Sequence, residues 1–108
     1  MSKVIMVFVT CAGKDEARRL ADILLQARLA ACVNIFGGVE SFFRWQGKID
    51  RAEEHLLIIK TQAALFEELA QRIKQHHAYD TPEIIALPIV DGSADYLSWI
   101  EEETRPCN

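Results

Sequence analysis

The chain has 108 residues, 50% hydrophobic and 26% charged, with a formal net charge of -4. That length gives one domain, residues 1–108, with one core, and the acidic balance argues against broad electrostatic binding to nucleic acid or to an anionic membrane. Apolar runs such as Val4–Val9 and Leu56–Ile59 are too short to span a bilayer, and the N-terminus offers no signal-peptide cleavage region, which reads as a cytoplasmic protein.

Val4–Thr10 is a nearly unbroken run rich in β-branched residues and predicts a central strand. Cys11-Ala12-Gly13 breaks it. From Lys14 to Arg28 the residues Ala17, Leu20, Ala21, Leu24 and Ala27 recur at helical spacing, which predicts an amphipathic helix. A second strand begins near Leu29, reaches a Gly37-Gly38 break and resumes over Val39–Trp45. Gln46-Gly47-Lys48 is a tight turn, and a third strand returns over Ile49–Lys60. Paired glycines inside a strand predict a bulge. Each arm exceeds the usual strand of roughly five or six residues. The outer half of the hairpin, with Phe42, Phe43 and Trp45, must therefore project. An exposed edge of that kind is an aggregation hazard that pairing with another subunit removes, so the strand lengths predict an oligomer.

Thr61 is placed to cap a helix over Gln62–His77 with the stripe Leu65, Phe66, Leu69, Ala70, Ile73. A fourth strand follows over Glu83–Val90, on an edge because Pro88 has no N–H to donate. Ser93 can cap a last short helix, in which Tyr96, Leu97, Trp99 and Ile100 share a face and Trp99 is expected in the core. The order β-α-β-β-α-β with an added C-terminal helix is the α+β ferredoxin-like pattern with an extended hairpin. Right-handed crossovers give the sheet order four-one-three-two.

Three cysteines without a CxxC spacing are not a disulfide framework. Cys32 in Ala30-Ala31-Cys32-Val33 reads as a small buried hydrophobe, and Cys107 as mobile at the chain end. Cys11 closes the first strand. The topology brings it to the same end of the domain as His76 and His77, with the hairpin tip and Tyr79 opening there too. A thiol and imidazoles suit copper or zinc rather than calcium or magnesium. The plainer alternative is that the two histidines are half-buried helix-end residues, helped by the helix dipole when protonated, and that Cys11 is a structural thiol; the residues by themselves favour it. Side chains adjacent on a helix point about 100° apart, so both histidines can serve one ion only if the helix ends between them. His55 reads as a cross-strand surface residue. Glu54 and Lys60 share a face of their strand, where an ordinary surface pair is the default over acid–base work. No catalytic set is visible, so an enzyme is the weakest reading.

Ala30-Ala31-Cys32-Val33-Asn34-Ile35, Trp45-Gln46-Gly47-Lys48-Ile49, Lys60-Thr61, His77-Ala78-Tyr79-Asp80-Thr81-Pro82-Glu83, Leu87-Pro88-Ile89 and Tyr96-Leu97-Ser98-Trp99 resemble, in order, the CutA divalent-cation tolerance family. The resemblance implies a homotrimer of PII-like architecture, tied to tolerance of divalent metals and of copper above all. It implies copper(II), one ion per subunit, with Cys11, His76 and His77 as ligands, other divalent cations being possible. Trp45, Glu54, Lys60 and Tyr79 would lie near a cleft between subunits. Ala12 and Ala78 stand where prolines are frequent in that family. The alternative function is a PII-like signalling trimer that binds a small molecule in the inter-subunit cleft.

Overall fold

The structure, a computed structural model, describes residues 3–106; Cys107 lies outside the described residues. The elements run β1 (Val4–Cys11), α1 (Lys14–Gln26), β2 (Cys32–Trp45), β3 (Lys48–Gln62), a 3-10 turn (Ala63–Leu65), α2 (Phe66–His76), β4 (Ile84–Pro88) and α3 (Ala94–Glu103). They form one antiparallel sheet in the order β2-β3-β1-β4. The ferredoxin-like topology, the central first strand and the edge position of Pro88 are as the sequence predicts.

Alternation along the strands divides the sheet into two unlike faces. Ile5, Val7, Val9 and Cys11 of β1 lie opposite Thr61, Ile59, Leu57 and His55 of β3. This face carries α1 and α2, whose Leu20, Leu24, Leu69 and Ile73 complete a core in which most side chains are fully enclosed. Met6, Phe8, Leu56 and Ile58 point the other way. There Phe36, Ile85 and Leu87 are 51%, 51% and 43% exposed. Among the described residues only α3 covers this face, at its lower end, which it meets through a 2.7 Å bond from the Gln62 amide to the Thr104 hydroxyl.

This division corrects three expectations. Trp99 is 39% exposed and stacks on Tyr96, because α3 lies on the second face and commits only Ile100 to full burial. Cys32 is half-buried rather than enclosed. Strand parity turns it to the second face, where Tyr96 neighbours it, while Val33 takes the core side. Thr61 is not a helix cap. It is a fully buried β3 residue whose hydroxyl donates to the Leu29 carbonyl at 2.6 Å, and the chain makes the 3-10 turn before α2 begins at Phe66. Ser93 does cap α3, accepting from the Tyr96 N–H. Thr61→Val keeps the shape but strips the Leu29 carbonyl of that partner. It is expected to cost about 1–2 kcal/mol, read as a lower urea midpoint at unchanged slope.

The hairpin extends well past the sheet. β3 pairs with β1 only from His55 onward, so Val39–Trp45 and Lys48–Glu54 form a two-stranded ribbon about 20 Å long. The molecule is accordingly elongated, at 44 × 26 × 23 Å. The glycine pair is the bulge: Gly37 and Gly38 together face His55, and the register shifts between Phe36 and Val39. Gly38 takes φ 71°, which a side chain there would oppose. At the tip Gln46 and Gly47 both have positive φ, the primed turn that suits strand twist. Phe42, Trp45 and Ile49 are 65%, 56% and 73% exposed on this ribbon.

Candidate functional site

β1 runs up to Cys11 and α2 runs up to His76, so the loops after them are neighbours. Contact is made by His77. Its side chain is fully enclosed, and Nε2 lies 2.8 Å from the carbonyl oxygen of Thr10, the residue before Cys11. A carbonyl only accepts, so Nε2 carries the ring proton. Nδ1 then holds the lone pair and accepts the Tyr79 N–H at 3.0 Å. The helix ends between the two histidines: His76 is the last residue of α2, and His77 is extended at φ -90° and ψ 142°. The result separates them. His77 turns inward while His76 is exposed.

Glu16 joins the two loops and was not singled out by the sequence. Its carboxylate accepts the Ala12 N–H at 3.4 Å through Oε1 and the Ala78 N–H at 2.8 Å through Oε2. Oε2 also lies 3.5 Å from His77 Nδ1. The available signal was its position four residues before Leu20, on the buried stripe of α1. A carboxylate there must have partners. Cys11 is wholly enclosed, and its thiol donates to the Gly13 carbonyl at 3.6 Å. Burial, and after it the negative Glu16, push the thiol pKa up to about 11.

Cys11, His76 and His77 thus fit copper in kind but not in arrangement. The thiol is protonated and enclosed, both nitrogens of His77 are engaged, and His76 faces solvent. Among the described residues no group of three or more His, Cys, Asp or Glu side chains is arranged to hold a metal ion.

Beside this end, on the second face of the sheet, opens a groove of about 760 Å³. Phe42, Phe43 and Trp45 of the hairpin form one wall and the Tyr79–Thr81 loop another. Glu40, Asp50, Glu54, Asp80 and Glu83 also line it, with no lysine or arginine among the described lining residues. The Tyr79 hydroxyl donates to Glu54 Oε2 at 2.9 Å. Burial, then that bond and the Glu54 charge, push the Tyr79 pKa up to about 12. Burial and the Glu54 charge also raise the Glu83 carboxyl. Trp45, Glu54 and Tyr79 line this groove of the single chain, whereas Lys60 is six residues down β3 from Glu54, bonded to the Asn34 side chain.

Comparison with known proteins agrees with this fold. The family described as "CutA1 divalent ion tolerance protein" matches residues 5–103. The chloroplastic protein CutA of Arabidopsis thaliana is 46% identical over 101 residues, covering 94% of this chain and 56% of that protein. The chain therefore spans little more than half the length of this plant relative. The divalent-cation tolerance protein CutA of Thermus thermophilus is 44% identical, covering 92% of this chain and 96% of its own. The crystal structure of CutA1 from Oryza sativa superimposes with a TM-score of 0.95 at 44% identity, covering 98% of this chain and 97% of that one.

Proposed function

We propose, from the premise that this chain belongs to the CutA1 divalent ion tolerance family, that it is a cytoplasmic homotrimer that responds to copper(II). The observation that supports the reading is the 2.8 Å contact of His77 with the Thr10 carbonyl, which sets an imidazole beside the end of the strand that carries Cys11. Cys11, His76 and His77 are the proposed donors, one ion per subunit. Sulfur and imidazole donors favour copper or zinc over calcium or magnesium. A reducing compartment belongs to the proposal because it keeps Cys11 a thiol.

The trimer is supported by two surfaces that one chain leaves bare. One is the apolar second face of the sheet and the other is the ribbon bearing Phe42, Trp45 and Ile49. Large apolar side chains exposed side by side, rather than singly, mark interaction sites.

Isothermal titration with copper(II) tests the donor assignment. Wild type is expected to bind saturably, and Cys11→Ser combined with His77→Ala to lose that binding. An unchanged titration in the double variant refutes it.

The groove supports a second reading, a PII-like trimer that binds a small molecule. Its five carboxylates and its aromatic wall make the ligand a cation rather than an organic anion. Such a ligand would raise the melting temperature of the metal-free protein.

A further inference from the structure

Glu54 is 7% exposed, yet among the described residues its carboxylate accepts one hydrogen bond, from the Tyr79 hydroxyl, and makes no ion pair. A carboxylate so enclosed is costly unless a cation meets it. Its charge also reaches Glu83, whose carboxyl it helps to raise. The groove therefore gathers negative charge around a nearly buried carboxylate and answers it with no cation of its own.

Strand register shows how that charge is spread. Asp50 and Glu54 stand four residues apart on β3, on one face of the ribbon, which separates them by about 13 Å. Asp50 pairs with Phe43, so the Phe43 and Trp45 side chains share that face. Lys48, which pairs with Trp45 at the tip, lies outside the groove lining, and Asp80 comes from the loop wall. A metal ion needs donors that converge on one point, and among the described residues no group of three or more acidic, histidine or cysteine side chains does so. Carboxylates strung out beside aromatic rings suit a ligand whose positive groups are strung out too. Its ammonium groups would meet the carboxylates while the methylenes between them lie on the rings.

Resting on the reading of the groove as a cation site, we propose that its ligand is a linear polyamine, with one ammonium group at the enclosed Glu54, another toward Asp50 at the hairpin, and the alkyl chain along Phe43 and Trp45.

Isothermal titration of the full metal-free chain with putrescine, spermidine and spermine in low-salt buffer tests this. Saturable binding is expected, tightening about twofold to fivefold with each added ammonium group. Glu54→Gln keeps an oxygen to accept the Tyr79 hydroxyl but removes the charge, and should weaken spermine by about tenfold. Trp45→Ala should weaken it about twofold to fivefold. Should Glu54→Gln not fold, Asp50→Asn on the exposed ribbon serves. Glu101→Gln combined with Glu102→Gln, on α3 and outside the groove lining, is expected to leave affinity as it is. Spermine affinity that ignores the groove variants, or that falls as far with the α3 pair, is diffuse charge attraction and overturns the polyamine site. If polyamines fail to bind but tetramethylammonium binds and is weakened by Glu54→Gln, the polyamine is overturned and the cation reading of the groove stands. If none of these organic cations binds, both fall.

Discussion

Ile58→Glu is expected to yield a folded monomer. Ile58 lies on the second face of the sheet, paired across the strands with Phe8 and Asn34. In a single chain this position is half-buried at an open surface, so a glutamate can turn its carboxylate to water. In the proposed trimer the same carboxylate would be taken out of water against another subunit, with Lys60, which bonds Asn34 across the strand, the nearest cation on its own chain. Desolvating a carboxylate costs several kcal/mol before any pairing repays it, and each subunit would contribute one. The association should fail while α1, α2 and their core, on the opposite face, remain intact. Light scattering reads the mass and far-ultraviolet circular dichroism reads the fold. A variant that stays trimeric would show that this face is not the interface. A wild-type chain that is monomeric at micromolar concentration would remove the premise.

The two faces also explain how much could be read from the sequence. Strand β1, both main helices and the bulge were legible because each rests on a local pattern: a β-branched run, a repeat of apolar residues every three or four, a glycine pair. The sheet order followed from handedness and the position of Pro88. The errors share one cause. Cys32, Thr61 and Trp99 were judged by neighbours in sequence, whereas their burial depends on which face of the sheet they meet. Thr61 begins a polar-then-apolar pattern that reads as a helix cap. In the fold it is the last inward residue of β3, and its hydroxyl is spent on Leu29.

The candidate site was legible only as a meeting of elements. Topology brings the end of β1 to the end of α2, and that much needs no side chain. It cannot say how the hydrogen bonds are distributed once the loops meet. Ala12 and Ala78 looked like plain departures from a family in which proline is frequent. In the fold, each supplies the N–H that proline lacks, and Glu16 accepts both. The adjacent histidines were an objection to chelation while they sat on one helix. The helix ends between them, which removes that objection and raises another, since the ring that turns inward has no lone pair to spare.

Leu57→Ala, one residue before Ile58, should produce the opposite phenotype. Leu57 points into the helix-covered core, flanked across the strands by Val9 and Ile35, and none of its surface is exposed. Truncation removes apolar surface from a packed interior and leaves a cavity that the two central strands cannot close. The expected loss is about 2–5 kcal/mol. That is a large share of the stability of a domain of this size, typically about 5–15 kcal/mol. Ile58→Ala removes a comparable group from the second face. The two differ in how denaturation depends on protein concentration. An oligomer that dissociates on unfolding becomes more stable as protomer concentration rises. Leu57→Ala should shift the denaturation midpoint down by a similar amount at every concentration, because the lost contacts lie within one chain. Ile58→Ala should approach wild type at low concentration, where neither chain is associated, and lose most at high concentration, where wild type gains the full stabilisation of assembly. If both variants show the same concentration dependence, the two faces of the sheet do not divide the work between folding and assembly.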